Sequence, residues 1–321
     1  MKASFSSEAI HPLKVAPPFR WRLVALSILA ASATGAFAQV TYFVTDLGQI
    51  NRNYALSINN NGQVALQSNA ISIYQYFPLG KSINDSGQIL QGASLLYGGG
   101  TVTPVVGIDG TGINNSGQIV GTLQEPQSGG GDSFNHAVIY NGFTITDFGH
   151  GSAIAINDSG EVVGFNSELR NIANQAFDFS RGQALAPNQS WATAINNSGQ
   201  IVGVVDGGGG FLYSGGTLTH LGFGPNAIND SGQVVGGYDI YANGTMTDLN
   251  SLIAANSGWT LINAEGINNS GQIVGYGTNP LGQTDAFLLT LTPEPSAIAL
   301  SVVGAAVLVA FRRIKHRVTV L

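Results

Sequence analysis

Four carboxylic residues lie where they could act together on a sugar substrate. Asp132, Glu168, Glu265 and Asp285 lie in or beside the longest connections in the body of the chain. Glycoside hydrolysis uses two carboxyl groups, one as general acid and the other as base or nucleophile. A carbohydrate-active enzyme, either a glycosidase or a lyase, is therefore one hypothesis. It requires that two of these carboxyl groups face each other across a pocket, which depends on the fold.

The other residue types that carry catalysis form no such set. The body has three histidines in different repeats, without the spacing of a zinc site: His136, His150 and His220. Ser159 and Ser198 lie in repeated turns, not in a Gly-x-Ser-x-Gly elbow. The glycine runs at 128–131 and 207–210 lack the Lys-Ser/Thr of a phosphate-binding loop, and we interpret them as flexible connections. The absence of cysteine excludes disulfides and a Cys nucleophile. We therefore predict no catalytic residue, no metal and no cofactor.

A sevenfold internal repeat must position all of these residues. Its pattern, Ile-Asn-x-x-Gly-x-Val/Ile, begins at seven isoleucines: Ile58, Ile83, Ile113, Ile156, Ile195, Ile228 and Ile267. Spacings of 25 to 43 residues are typical of repeat architectures. In each copy polar residues and a Gly separate two short β-branched runs, which predicts a tight hairpin whose Gly has positive φ.

Position 2 of the pattern, counted from the isoleucine, is Asn in every copy. The seven residues are Asn59, Asn84, Asn114, Asn157, Asn196, Asn229 and Asn268. We predict that these side chains form the turns by bonding to backbone. Calcium binding by Asp85, Asp158 and Asp230 at position 3 is the alternative interpretation. Calcium prefers six to eight oxygen ligands, whereas each turn offers one carboxylate.

Two more strand patterns follow most copies, so each repeat is predicted to contain four strands. The seventh repeat lacks its fourth strand, whereas a matching segment, YFVTDLG at 42–48, precedes the first copy. Pairing of these two ends would close a ring without free sheet edges. The prediction is an all-β fold, a β-propeller of about seven short four-stranded blades closed by the N-terminal strand. An open β-hairpin solenoid is the alternative, and the short first spacing leaves six blades open.

The repeats differ in length on one predicted side of the ring. The extra residues fall at 122–133, 165–174, 250–263 and 276–284. Variable loops gathered on one rim are where binding usually occurs. Trp191 and Trp259 precede first strands and could reach this rim, where stacking on sugar is one hypothesis and packing between blades is the alternative.

Charge argues against one class of partner. Between residues 39 and 292 there are sixteen Asp and Glu but four Lys and Arg, a net charge of −12. Phosphate backbones are bound mainly through Lys and Arg. We therefore predict no nucleic-acid binding.

The N-terminal end has the layout of a secretory signal peptide. A basic region before residue 23 is followed by an apolar run at 23–37, and the small residues Ala36 and Ala38 stand at the end of this stretch, before Gln39. This order predicts cleavage by signal peptidase after Ala38. An uncleaved membrane anchor is the alternative, although the apolar run is short for a spanning helix.

The C-terminal end combines three elements in order: Pro293, Glu294 and Pro295, an apolar run at 297–311, and the basic residues Arg312 and Arg313. Fifteen helical residues span about 23 Å, which predicts a short transmembrane helix with its basic end in the cytoplasm. The segment resembles the PEP-CTERM sorting signal of Gram-negative bacteria, although Thr292 replaces the usual Val. The resemblance implies recognition and cleavage by the membrane enzyme exosortase during export. A plain membrane anchor that is never cut is the alternative.

The body resembles a second family. INxSGQIVG followed by a His-Ala-Phe-like strand is similar to the HAF repeat of extracellular proteins, over most of 50–290. His136 keeps the family's His, whereas Gln175, Gly210 and Asp285 stand at its place elsewhere. The resemblance implies an extracellular location and no established chemistry.

Together these features predict three segments: a signal peptide at 1–38, an HAF-repeat β-propeller domain at 39–292 and a sorting signal at 293–321. The predicted function is that of an exported, surface-sorted, non-enzymatic protein with a structural or adhesive role in the cell envelope or extracellular polysaccharide matrix. The expected partners are signal peptidase, an exosortase-type enzyme and extracellular polysaccharide. An intermediate anchored transiently in the inner membrane precedes surface delivery.

Overall fold

The protein is built from β-strands, which confirms the predicted all-β class. The computed structural model describes residues 41–49, 55–66, 82–91, 95–125, 134–167, 174–207 and 209–292. The regular elements in these ranges are β-strands and one 3₁₀ helix. All of them belong to one compact unit, Gln39–Leu321.

The predicted signal peptide with Ala36 and Ala38, and the whole sorting segment with its apolar run at 297–311, lie outside the described residues. Within the described ranges, no helix has the length and apolar character needed to cross a membrane.

The elements of the N-terminal half are β1 (Tyr42–Gln49), β2 (Ala55–Ile58), β3 (Val64–Leu66), β4 (Ser82–Ile83), β5 (Ile89–Gln91), β6 (Leu95–Gly98), β7 (Thr101–Pro104), β8 (Asp109–Ile113), β9 (Ile119–Glu125), β10 (Phe134–Tyr140), β11 (Ile145–Ile156) and β12 (Val162–Asn166). Those of the C-terminal half are β13 (Gln175–Asp178), β14 (Gln183–Asn188), β15 (Ser190–Ile195), β16 (Ile201–Val205), β17 (Gly209–Ser214), β18 (Thr217–Leu221), β19 (Ala227–Ile228), β20 (Val234–Gly236), β21 (Asp239–Ala242), β22 (Thr245–Asp248), the 3₁₀ helix η1 (Leu249–Leu252), β23 (Thr260–Ile267), β24 (Ile273–Thr278) and β25 (Thr284–Leu291).

The strands form seven units, one for each copy of the repeat, and neighbouring strands are antiparallel. Units two, five and six are four-stranded sheets in chain order: β4–β7, β15–β18 and β19–β22. The described part of unit one is the hairpin β2–β3. Units three and four share the seven-stranded sheet β8–β14, because one half of β11 pairs with β10 and the other with β12. Two separate strands are predicted at this place, but no residue remains between the two pairings to form a turn.

The N-terminal strand completes the last unit, as the sequence predicts. The strand order is β1-β25-β24-β23, with Tyr42 opposite Leu291. Beyond the strand ends, the Thr292 N–H donates to the Thr41 carbonyl at 2.9 Å, although these residues are 251 positions apart. Burial raises the pKa of the Tyr42 phenol to about 12. The two ends of the body therefore lie in one sheet.

Each repeat forms a tight turn between its first and second strands. Position 5 is Gly in every copy, with φ between 73° and 82°. The residues are Gly62, Gly87, Gly117, Gly160, Gly199, Gly232 and Gly271. A side chain at these angles would be strained, so the prediction of a glycine with positive φ is confirmed.

Position 9, in the second strand of units three to seven, requires glycine for a different reason, which is lack of space for a side chain. A Cβ there would lie 2.0–2.2 Å from a carbonyl oxygen in or just before the first strand. The residues are Gly121, Gly164, Gly203, Gly236 and Gly275. In four of these units the first strand bulges at this level, which is where close backbone approach favours glycine.

The hydrophobic core is divided into clusters between neighbouring sheets. Ile201 and Phe211 of unit five, for example, pack with Val163 and Ala176 of unit four. At the other end of the chain Ile58 of unit one packs with Val274 of unit seven. Each sheet is therefore stabilised by the units before and after it.

Candidate functional site

The seven Asn residues at position 2 are buried in the turns, each with 3% of its surface exposed. Asn196 shows the pattern: its Oδ1 accepts the N–H groups of Ser198 and Gln200 at 3.1 and 2.9 Å. Its Nδ2 donates to Gln200 Oε1 at 2.8 Å. The predicted bonds from Asn to turn backbone are thus confirmed.

The second proton of each amide connects the units. Asn196 Nδ2 donates to the Asn229 carbonyl of the next unit at 2.9 Å, and equivalent bonds of 2.9–3.2 Å follow at every junction. The last one runs from Asn268 to the carbonyl of Asn59 at 3.0 Å, 209 residues earlier. Seven bonds therefore form a closed cycle.

A second cycle is formed by position 3, which we call the Asn/Asp ring. Its members are Asn60, Asp85, Asn115, Asp158, Asn197, Asp230 and Asn269. The backbone N–H of each donates to the side-chain Oδ1 of the next at 2.8–2.9 Å. The last of these bonds joins Asn269 to Asn60.

The carboxylates of the Asn/Asp ring lie between side-chain amides. Asp158 Oδ2 accepts Asn115 Nδ2 at 3.0 Å and Asn197 Nδ2 at 3.1 Å. Asp85 and Asp230 each accept two Asn amides in the same way, at 2.7–3.2 Å. With the backbone bond, each carboxylate therefore accepts three N–H groups.

These rings line a polar cavity of about 260 Å³, with the repeated isoleucines below them. Because amides already bind the three carboxylates, the calcium interpretation has no support from their contacts. In the described part of the chain, no group of three or more His, Asp or Glu is placed to hold a metal ion. The chemistry of this arrangement is hydrogen bonding between repeats.

The position-6 side chains lie beside the turn glycines of the following units, and their composition has one exception. A Cβ on each turn glycine would lie 3.1–3.8 Å from the position-6 side-chain oxygen of the preceding unit. That residue is Gln in six units and Glu161 in the fourth. Arg181 forms ion pairs with Glu161 and with the buried Asp178, and the bond to Asp178 raises the pKa of its guanidinium. The acidic exception is therefore neutralised locally.

Two histidines that we assigned to separate repeats lie side by side, which corrects the sequence interpretation. His136 on β10 is the cross-strand partner of His150 on β11, and their ring centroids are 4.8 Å apart. His136 Nδ1 lies 2.7 Å from Asp147 Oδ2. Burial acts to raise the pKa of Asp147, but the Gly149 N–H and the histidines outweigh it, so the pKa lies below its ordinary value. The fused strand β11 causes this proximity.

The carboxylates required for the enzyme hypothesis do not form a described pair. Asp132 and Glu168 lie outside the described residues. Asp285 on β25 is opposite Gly277 on β24, and Gly277 is opposite Leu261 on β23. Leu261 and Glu265 are four residues apart along β23. The two backbones are thus about 13 Å apart along the strands, and two strands apart across the sheet. Burial raises the pKa of Glu265, opposed by a bond from Asn263.

The tryptophans occupy half-buried positions. Trp191 lies within β15, not before it, and pairs with Val204. Trp259 directly precedes β23 and packs edge-on against Phe287, with ring centroids 6.4 Å apart. The contact of Trp259 is the one expected for packing inside a unit.

The glycine run at 207–210 differs from the predicted flexible connection. Gly209 and Gly210 belong to β17, and a Cβ on Gly210 would lie 2.1 Å from the Phe223 carbonyl oxygen. Glycine is therefore needed at position 210, because the backbone of residue 223 passes too close for a side chain. The run at 128–131 lies outside the described residues.

Sequence reasoning missed the Asn/Asp ring as a whole. Its signal was visible, because position 3 alternates between Asn and Asp along all seven successive copies. Alternating donors and acceptors at one repeated position indicate side chains that meet in space. No protein-family model matches the chain, and no curated protein matches it.

Proposed function

We propose that the seven units are the blades of a closed β-propeller. Three observations support this: the two closed hydrogen-bond cycles at positions 2 and 3, the pairing of β1 with β25, and the packing of Ile58 with Val274. An open solenoid would leave its first and last units without mutual contacts.

We further propose that this ring is a non-enzymatic scaffold, exported and sorted to the surface of a Gram-negative cell. It acts there as a structural or adhesive component of the envelope or polysaccharide matrix. The export route rests on the resemblance of 293–321 to a PEP-CTERM signal and on the signal-peptide layout of 1–38. Exosortase and signal peptidase are the processing partners.

One observation supports a scaffold more than any other. The polar side chains at positions 2, 3 and 6 of the repeat are bonded to groups within their own unit and in the next one. Repeated polar residues in a catalytic or transport site would instead leave donors or acceptors for a substrate. Here they hold the ring together, and variation between repeats is concentrated in the loops.

Cell fractionation with and without an active exosortase tests the sorting proposal. The full chain is expressed in both strains, and the mature mass is measured. We expect loss of mass at both ends, near Ala38 and Pro295, with the C-terminal loss dependent on exosortase. A C-terminal segment retained in both strains would contradict sorting and leave a membrane-anchored propeller.

Polysaccharide retention tests the adhesive role. Trp191→Ala and Trp259→Ala are compared with Phe143→Ala, a matched loss of an aromatic side chain that is 96% exposed at the β10–β11 turn. We expect at least one Trp variant to retain less polysaccharide, and the Phe143→Ala variant to retain as much as the wild type. Circular dichroism should show that all three variants fold normally. Equal retention in all three variants would remove the stacking hypothesis.

A further inference from the structure

The junction between the seventh and first units differs from the other six. Asn and Asp alternate around the Asn/Asp ring from Asn60 to Asn269. A ring with an odd number of members cannot alternate completely, so two residues of one kind must be neighbours once. In this chain they are Asn269 and Asn60, and we call their junction the seam.

The seam lacks the side-chain bond that characterises every other junction. At the other six junctions an Asn amide donates to an Asp carboxylate at 2.7–3.2 Å. Neither Asn60 nor Asn269 carries a carboxylate. The Asn269 N–H donates to a neutral amide oxygen at 2.9 Å, as three other position-3 N–H groups do, but no charged side-chain bond accompanies it. Hydrogen bonds with an ionised partner are roughly twice as strong as neutral ones. Two Asp residues at the seam would repel each other, so the Asn pair is the milder solution.

A second bond, deeper in the first strands, is present at some junctions and absent from the seam. At the bulge in β8 the Thr111 hydroxyl donates to the Ala153 carbonyl of the next unit at 2.8 Å. At the bulge in β15 the Thr193 hydroxyl donates to the Pro225 carbonyl at 2.9 Å. The equivalent residue in β23 is Glu265, and an ionised carboxylate has no proton to donate. The junction between units four and five shares this lack, because the equivalent residue in β11 is Ile154.

The path of the chain adds a third difference. In the other described four-stranded units the third and fourth strands are consecutive, as in β17–β18 and β21–β22. In the seventh unit the fourth strand is β1, which is joined to β25 by strand hydrogen bonds and not by a turn. Release of β1, together with loss of the Ile58–Val274 packing and of the Asn268–Asn59 bond, would separate the last unit from the first without breaking any hairpin.

We infer that the ring opens at the seam, by release of β1 from β25 and separation of Asn269 from Asn60, while the other six junctions stay closed. The inference rests on the closed propeller proposed above and adds a defined opening point to it. Local openings of this kind require less free energy than global unfolding.

Amide hydrogen exchange offers an internal comparison among seven equivalent groups. The position-3 N–H of each unit crosses one junction, and Asn269 crosses the seam. Exchange is measured by NMR in the purified full chain and corrected for intrinsic rates. We expect the Asn269 amide to be at least about tenfold less protected than the median of the other six. Equal protection, or lowest protection at another junction, would overturn the inference.

An engineered disulfide distinguishes failure of the seam inference from failure of the proposed closed propeller. The Thr41 and Thr292 hydroxyl oxygens are 2.5 Å apart, and the chain has no cysteine. Oxidation of the Thr41→Cys/Thr292→Cys variant should raise Asn269 protection to that of the other junctions, and reduction should reverse it. The control Ser214→Cys/Thr217→Cys, within the β17–β18 hairpin, should leave Asn269 unchanged. Failure to form the Thr41–Thr292 bond within one chain would refute the closed ring itself, whereas a formed bond without an effect on Asn269 would refute only the seam.

Discussion

Replacing Asp158 by Asn tests the Asn/Asp ring with an almost isosteric change. Asp158 accepts the Asn115 N–H on Oδ1, and Asn115 Nδ2 and Asn197 Nδ2 on Oδ2. An Asn side chain has one oxygen for these three donors. If that oxygen faces the backbone N–H, the new amide faces two other amides. If the side chain flips, the Asn115 N–H loses its acceptor.

The expected cost follows from the bonds lost. A hydrogen bond to a charged group contributes about 1.5–3 kcal/mol when it is protected from water. Two such bonds are lost, but Asp158 is exposed to solvent, so their contribution is reduced. We expect the free energy of unfolding to fall by about 1–3 kcal/mol in total. For a domain of this size, this corresponds to a Tm lower by roughly 2–12 °C.

Urea denaturation and thermal unfolding of the full chain measure this loss. The matched control is Asp206→Asn, because Asp206 also lies on the surface but accepts only the Gly207 N–H, at 3.0 Å, among its described contacts. Both variants remove one negative charge from an acidic body, so the effect of net charge cancels. We expect the control to change stability by less than about 0.5 kcal/mol. Equal Tm values for the two variants would refute the structural role of the ring.

Two further substitutions test other parts of the fold. Glu265→Gln should raise the Tm at pH 7 and flatten the dependence of the Tm on pH. Because folding raises the pKa of Glu265, wild-type stability falls as pH rises above about 4 and through the folded pKa. An unchanged pH profile would contradict this. Gly164→Ala should lower the free energy of unfolding, measured by urea denaturation, by about 3 kcal/mol or more, because its Cβ would lie 2.0 Å from the Ser152 carbonyl oxygen. The control is Gly209→Ala, where a Cβ meets nothing within 4 Å. Similar losses of stability in both variants would contradict the close-approach argument.

The local structure was predictable because its causes lie within a few residues. The Ile-Asn-x-x-Gly pattern fixes a turn by itself, since Asn196 Oδ1 accepts the N–H groups of Ser198 and Gln200, and Gly199 has a positive φ. The pairing of β1 with the last unit was also predictable, because the seventh repeat lacked a strand that was present elsewhere. Each of these inferences needed counting and local stereochemistry only.

The contacts between repeats were not predictable in the same way. Asp158 and Asn197 meet because two sheets are packed side by side, which depends on how separate units are arranged in space. The pair His136 and His150 depends on the continuity of β11 through two units, and local patterns suggested a break there. The glycine at position 9 is explained by the bulge of a neighbouring strand, which no single-strand pattern reveals.

The alternation of Asn and Asp also bears on how such a protein can change length. A unit of either kind forms the bond between an Asn amide and an Asp carboxylate only beside a unit of the other kind, so duplication of a single unit would create a new pair of like neighbours. Duplication or loss of an adjacent Asn-type and Asp-type pair would preserve every existing contact. The natural step of growth for this architecture is therefore two repeats, and one Asp-type unit inserted between Asn269 and Asn60 would give an eight-membered ring with complete alternation.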